Sequence, residues 1–174
     1  MPKERIFITV KTYPAISKKY DELVCTAGIR ENGNWVRIYP VPFRKLGQDD
    51  RYKKYQWVEI DLQKNTSDKR PESFSPTDIE NIEVGDFIDT GNGWKERKKI
   101  IFQNQTAYTN LEEIIGEANR NELSIVIFKP ANILDFIVEE VDPEWSEEKI
   151  KILEGRAKQK ALFSYPSDIV EEFR

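Results

Sequence analysis

A β-rich α+β fold is predicted by three features of this sequence: repeated short runs of period-two apolar alternation, an Asn-Gly pair flanked by two of them, and only two stretches with helical spacing. Residues 5–13 alternate Ile6, Ile8 and Val10 against Phe7, Thr9 and Lys11, which reads as a strand with one aliphatic face ended by Tyr13-Pro14. Residues 17–22 are polar and lead into the central feature, a hairpin over 23–44. Asn32-Gly33 between β-rich runs predicts a two-residue type I′ turn, because both central positions of that turn need positive φ. With Glu31 opposite Asn34, Ile29 faces Val36 and Ala27 faces Ile38, leaving Trp35, Arg37 and Tyr39 in a row on the other face. Gly28 then leaves room beside Arg37 for something to approach the sheet.

Pro40 and Pro42 end the second hairpin strand or place it along an edge. A charged loop over 46–55 follows, and 57–62 resumes period two with Val58, Ile60 and Leu62 inward. Residues 64–76 are polar and proline-containing, the clearest internal boundary. Beyond it, 83–90 reads as a strand entering the turn Gly91-Asn92-Gly93, and 94–102 carries Lys95, Arg97, Lys98 and Lys99 into a short apolar end. Residues 109–123 form a helix opened by a capping box at Thr109 and Glu112, with Leu111, Ile114, Ile115 and Ala118 as its apolar stripe. Two strands are expected at 124–128 and 133–141. Asp142-Pro143 then opens a C-terminal helix over 145–163, whose acidic start and basic end suit the helix dipole. The expected organisation is a β-barrel unit over 1–65, a connector over 66–79, a second β unit with one helix over 80–141, and a C-terminal helix and tail over 142–174.

Composition narrows the function. The chain has no histidine and one cysteine, so the commonest general base and the commonest metal ligand are missing, and no disulfide can form within it. No metal, cofactor or catalytic residue is expected. Cys25 falls on the hairpin's aliphatic face, which favours a buried packing role over a reactive thiolate. Without a membrane span or a leader-like segment, a cytoplasmic location is expected. Net charge is −4, but residues 1–70 hold 15 Lys or Arg against 9 Asp or Glu, and residues 71–174 hold 12 against 22. The basic half is the one that carries the Trp35, Arg37, Tyr39 face.

Aromatic side chains alternating with a cation along a strand meet the needs of base stacking combined with phosphate contact. The competing reading is that another element covers this face and makes Trp35 and Tyr39 core residues. Arg44, Lys45, Arg51, Lys53 and Lys54, interleaved with Tyr52, Tyr55 and Trp57, add a basic aromatic loop close by.

The runs Val-Cys-Thr-Ala-Gly-Ile (24–29), Gly-Asn-Trp-Val-Arg-Ile-Tyr-Pro-Val (33–41), Val-Glu-Ile-Asp-Leu (58–62) and Arg-Pro-Glu-Ser-Phe (70–74) resemble the layout of the prokaryotic dual-OB-containing domain family. Ile38-Tyr39 before Pro40-Val41, and Ser73 in place of an asparagine, depart from it. The resemblance covers about residues 20–75 and implies OB-like small β-barrels able to bind nucleic acid, in a family whose members often lie near mobile-element and defence genes. The expected function is therefore a non-enzymatic module for single-stranded DNA or RNA, with Trp35 and Tyr39 stacking on bases and Arg37, Arg44, Arg51, Lys53 and Lys54 contacting phosphates. A protein-interaction or scaffold domain with a protein partner is the alternative, for which the acidic second half argues. An enzyme whose site lies elsewhere or is completed by another chain is the third.

Overall fold

The computed structural model describes residues 3–12, 15–16, 22–43, 46–47, 51–79, 81–140, 150–151 and 155. The chain divides into two compact units, one of residues 1–15 and 22–134 and the other of 16–21 and 135–174. A curled sheet contains the strands β1 (Glu4–Lys11), β2 (Ala15–Ile16), β3 (Glu22–Arg30), β4 (Trp35–Val41), β5 (Gln56–Ile60), β6 (Leu62–Lys64), β7 (Ser73–Pro76) and β8 (Glu83–Phe87), and all of these but β2 lie wholly within the first unit. Their spatial order is β6-β7-β4-β3-β1-β5-β8, with β2 off this path. Pairing along the path is antiparallel except between β4 and β7, which run parallel.

Only Asp61 separates β5 from β6, yet β5 pairs with β1 and β6 pairs with β7. One stretch of chain, 56–64, thus flanks the sheet on both sides, and the sheet curls into a barrel-like α+β fold. Its interior is an aliphatic cluster of Ile6, Ile8, Val36, Ile38, Val41, Leu46, Val58, Ile60, Leu62 and Ile82, with Tyr52 among them. The inward set expected for 57–62 is the one found there. The face turned away from this core is also buried at its centre, since Phe7 and Ile29 have no exposed surface and Ala27 is nearly covered.

On that face the Phe7 ring lies 5.2 Å from the Trp57 ring and 6.3 Å from the Tyr55 ring. Helix α1 (Gly91–Ile101) begins beside Tyr55, whose ring meets Trp94 edge-on at 5.3 Å. Just beyond the helix, Gln103 donates to the Glu31 carbonyl (2.9 Å), Asn104 to Asn34 Oδ1 (3.1 Å) and Gln105 to the Gly33 carbonyl (2.7 Å). This chain therefore runs from Tyr55 to the hairpin turn. The expected turn over 91–93 is present as a left-handed one, with Asn92, Gly93 and Trp94 at φ of 54°, 64° and 68°, and a right-handed helix follows directly.

The hairpin is one residue out of the expected register. Gly33 N donates to the Arg30 carbonyl (2.8 Å) and Arg30 N to the Asn34 carbonyl (2.9 Å), so the loop holds three residues, 31–33, with only Gly33 at positive φ (82°). A three-residue loop with an αL glycine replaces the type I′ turn. Asn32 instead accepts from Asn34 N through its side chain (3.0 Å), and the hydrogen bonds from Asn104 and Gln105 hold Gly33 and Asn34 in place. Ile29 consequently faces Trp35, Gly28 faces Val36, Ala27 faces Arg37 and Thr26 faces Ile38. Slipping by one residue exchanges the faces of a strand. Val36 and Ile38 point into the core with Gly28 and Thr26, while Ile29 and Ala27 join Trp35 and Arg37 outside.

Gly28 does not open a gap beside Arg37. A Cβ there would sit 2.4 Å from the Phe7 carbonyl oxygen and 2.7 Å from Ile6 Cγ2, so the space is already filled by β1, which bulges between Ile8 and Val10. That bulge also turns Val10 outward, where the alternation had placed it with Ile6 and Ile8.

Other expectations shift for equally local reasons. The stretch 66–79, marked by composition as a connector, runs inside the first unit and supplies β7. Helix α2 (Leu111–Asn119) is capped by Asn110, whose side chain accepts from the backbone of Glu112 and Glu113, and not by Thr109. Residues 124–128 yield only β10 (Ile127–Phe128), parallel to β9 (Ala107–Tyr108). Residues 133–140, expected as strand, carry no regular secondary structure, and no strand among the described residues pairs with them. In the second unit Ile150, Lys151 and Gly155 are helical, and the rest of the expected C-terminal helix lies outside the described residues.

Gly28→Ala is expected to destabilise the protein by about 1–3 kcal/mol or more, since the added methyl meets backbone that cannot turn aside. Equilibrium urea unfolding checks this, and an unchanged midpoint would show that β1 does not cross so closely.

Candidate nucleic-acid interface

The site expected on β4 is built on the outer face of the hairpin, and 65–72 folds against it. Arg37 is the centre. Its guanidinium side chain is only 12% exposed, and Nη1 donates to Asp68 Oδ2 (2.9 Å) and Ser73 Oγ (3.2 Å). The same guanidinium lies 5.0 Å from the centre of the Tyr39 ring. Arg37 N donates to the Glu72 carbonyl, so backbone and side chain are held by one loop.

That loop is polar because its polar groups satisfy one another. Asn65 Oδ1 accepts from Ser67 N and Oγ, Asp68 Oδ1 accepts from Arg70 N, and Asn65 N donates to the Ser73 carbonyl. Arg70 forks onto Asp68, with Nε to Oδ1 at 2.9 Å and Nη2 to Oδ2 at 2.8 Å, and the buried Ser73 hydroxyl donates to Oδ2 at 2.8 Å. The Arg70 guanidinium and the Ser73 hydroxyl hold the Asp68 carboxyl well below the usual carboxylate range. Two arginines share one carboxylate, which leaves a positive charge on the pair, and Arg70 is the more exposed of the two.

The other expected residues fall in different surroundings. Trp35 and Tyr39 are half-buried, and the Trp35 indole Nε1 is buried with no hydrogen-bond partner among the described residues. Arg51, Lys53 and Lys54 are exposed, with Arg51 Nε donating to the Leu46 carbonyl (3.2 Å). Arg44 lies outside the described residues. Tyr52 belongs to the core, not to a binding loop: its hydroxyl meets Thr26 Oγ1 at 2.7 Å, and burial pushes the phenol's pKa far up. Lys11 lies over the Phe43 ring at 3.9 Å and donates to the Tyr52 carbonyl (3.3 Å). Burial, and then the charge of Lys54, push the Lys11 ammonium down. Cys25 is half-buried rather than buried, its backbone exchanging hydrogen bonds with Thr12.

Sequence reasoning missed Asp68, Arg70 and Ser73. The signal was present in Asn65-x-Ser67 and Asp68-x-Arg70, whose short polar side chains fold back on backbone two residues on. Among the described residues no three Cys, Asp or Glu side chains gather so as to hold a metal ion, and no helix is long and apolar enough to cross a membrane.

A family profile described as a domain of unknown function (DUF8758) matches residues 2–103. The chain belongs to the DUF8758 family. The match takes in every strand of the curled sheet together with α1, so the DUF8758 unit includes the hairpin, 65–72 and the left-handed turn. No curated protein and no solved structure matches the chain.

The Asp68 carboxyl binds its proton less tightly in the folded protein than in the unfolded chain. Its ionised form therefore stabilises the fold above the ordinary carboxylate value of about 4, and that contribution is lost as pH falls below it toward the depressed native value. Asp68→Asn is expected to cost about 1–3 kcal/mol at neutral pH. The gap between wild type and variant should narrow progressively as pH falls below about 4, as read from urea unfolding at a series of acidic pH values.

Proposed function

We propose that this chain is a non-enzymatic module that binds single-stranded nucleic acid on an OB-like barrel, across the outer face of β3 and β4. Counting 56–64 as one strand, the strand path runs first, second, third, fifth, fourth and back to the first, with the third and fifth parallel. That order supports an OB-like reading and agrees with the expectation drawn from the dual-OB resemblance. In OB barrels the face of strands two and three and the loop between strands four and five carry oligonucleotides. Here those are the face of Trp35, Arg37 and Tyr39 and the loop 65–72.

The observation that carries the reading is the docking of that loop onto that face, through Arg37 and Asp68, with Arg70 left half-exposed beside it. Arg37 then acts as a support, because its charge is already matched by Asp68. Tyr39 and Trp35 offer partly open rings, and Lys53 and Lys54, which make no ion pair among the described residues, supply phosphate contacts. A second reading, a protein-interaction domain, is favoured by one feature: Ile133, Leu134, Phe136, Ile137 and Val138 are 72–94% exposed in a single run.

Titration of labelled oligo-dT and oligo-rU at low salt, where the Debye length is about 30 Å at 0.01 M, tests the proposal. Binding is expected, and Tyr39→Ala should weaken it about 5- to 150-fold. Lys53→Ala and Lys54→Ala should each reduce the salt slope by about one unit. Absence of binding by the wild-type chain at low salt would overturn the nucleic-acid reading and leave the protein-interaction one.

A further inference from the structure

We infer that Trp94 is a second base-stacking point for the same single strand, displayed by the left-handed turn that opens α1; this inference rests on the nucleic-acid reading above. A bulky residue at φ 68° is a conformational outlier, because in that region Cβ crowds the following carbonyl oxygen. Such conformations persist only where the surroundings over-determine them, and they concentrate at binding sites. Here the surroundings are Tyr55, itself at φ 66°, and Arg97. The Arg97 guanidinium carbon lies 3.8 Å from the centre of the Tyr55 ring, 4.8 Å from that of Trp94 and 5.6 Å from that of Phe87, while Nε donates to the Ile88 carbonyl at 2.8 Å. Arg97 is itself only 4% exposed. It holds the rings and is withdrawn from solvent.

A packing role alone would bury the ring so held. Trp94 is instead 41% exposed and Phe87 50% exposed, an open aromatic pair flanking one buried arginine. Charge identifies the occupant. Lys53 and Lys54 directly precede Tyr55, and Lys95, Lys98 and Lys99 are exposed along α1, against the exposed acids Asp86, Asp89 and Glu96. Flat rings set among an excess of lysines fit a base joined to phosphates, and a purely apolar or cationic ligand fits them less well. This stacking point lies beside β5 and β8, apart from the Arg37 centre on β4.

The test uses the full chain and oligo-dT at low salt, with circular dichroism and thermal unfolding on every variant. Trp94→Ala is expected to weaken binding about 5- to 150-fold, the range for one stacked base. Trp94→Tyr should keep near-native affinity while losing a share of the tryptophan quenching that oligo-dT produces in the wild type. The tyrosine variant carries the test if the alanine variant fails to fold. Should Tyr39→Ala weaken binding while Trp94→Ala binds like wild type, or should the quenching persist unchanged in Trp94→Tyr, the second stacking point is overturned and the β3–β4 reading stands. A wild-type chain that binds no oligonucleotide overturns both.

Discussion

The pairing of 56–64 on both sides of the sheet is the constraint from which the other features follow. A sheet flanked on both sides by one stretch of chain has to curl, and Asp61 is where that stretch turns from β1 toward β7. The Asp61 carbonyl accepts from Thr77 N (3.0 Å), while Oδ1 is buried with no partner among the described residues, a cost the bend carries. Curling places Ile6, Ile8, Val36, Ile38, Val58 and Ile60 inside and brings β1 across β3 so closely that Gly28 can have no side chain. It also puts β7 alongside β4, which is what allows 65–72 to reach Arg37.

The strands themselves were legible because period-two alternation is written into 5–11, 23–30, 35–41 and 57–62. Their register was not. Asn32-Gly33 supports two turns of different length, and the choice between them rests on Asn104 and Gln105, some seventy residues away, which hold Gly33 and Asn34. Propensity misleads in both directions elsewhere in the chain. Residues 133–138 are strongly β-prone yet form no strand, because a strand exists only through a partner, whereas the polar stretch 65–76 provides β7 because its Asn, Asp and Ser side chains satisfy the loop that leads into it. The first turn of α1 was hidden for a related reason: Gly91-Asn92-Gly93 reads as a stop, and nothing local shows that a helix resumes after Trp94.

The shared face of Trp35, Arg37 and Tyr39 was legible in the sequence, and the ion pair that occupies Arg37 was not. Alternation along one strand does place Trp35, Arg37 and Tyr39 on one side, as expected, whatever the register with β3. Whether a cation on that side is available to a ligand depends on what the rest of the chain brings to it, and Asp68 is thirty-one residues away from Arg37. Trp94 sits in the left-handed turn ahead of the helix that carries Arg97, so helical spacing gave no sign of the second aromatic cluster.

Ion pairing redistributes the positive excess of residues 1–70 without removing it. Lys3 with Glu83, Arg5 with Glu31, Arg30 with Glu4, and Arg37 with Asp68 each combine one charge of either sign, so their net contribution beyond a few ångströms is small. The field then comes from cations that make no ion pair among the described residues, among them Lys53, Lys54 and Lys11, whose ammonium is pushed down first by burial and then by the charge of Lys54. Like charges held together in this way destabilise the compact state slightly, and a bound anion would relieve that repulsion. The arginines are placed differently: Arg37 and Arg97 each lie against aromatic rings with donors directed at protein acceptors, which fixes the rings and leaves little of either guanidinium open to a ligand. On the proposed reading, buried arginines orient the rings that stack and exposed lysines carry the charge, so binding would be salt-dependent through the lysines and base-dependent only through the strength of stacking.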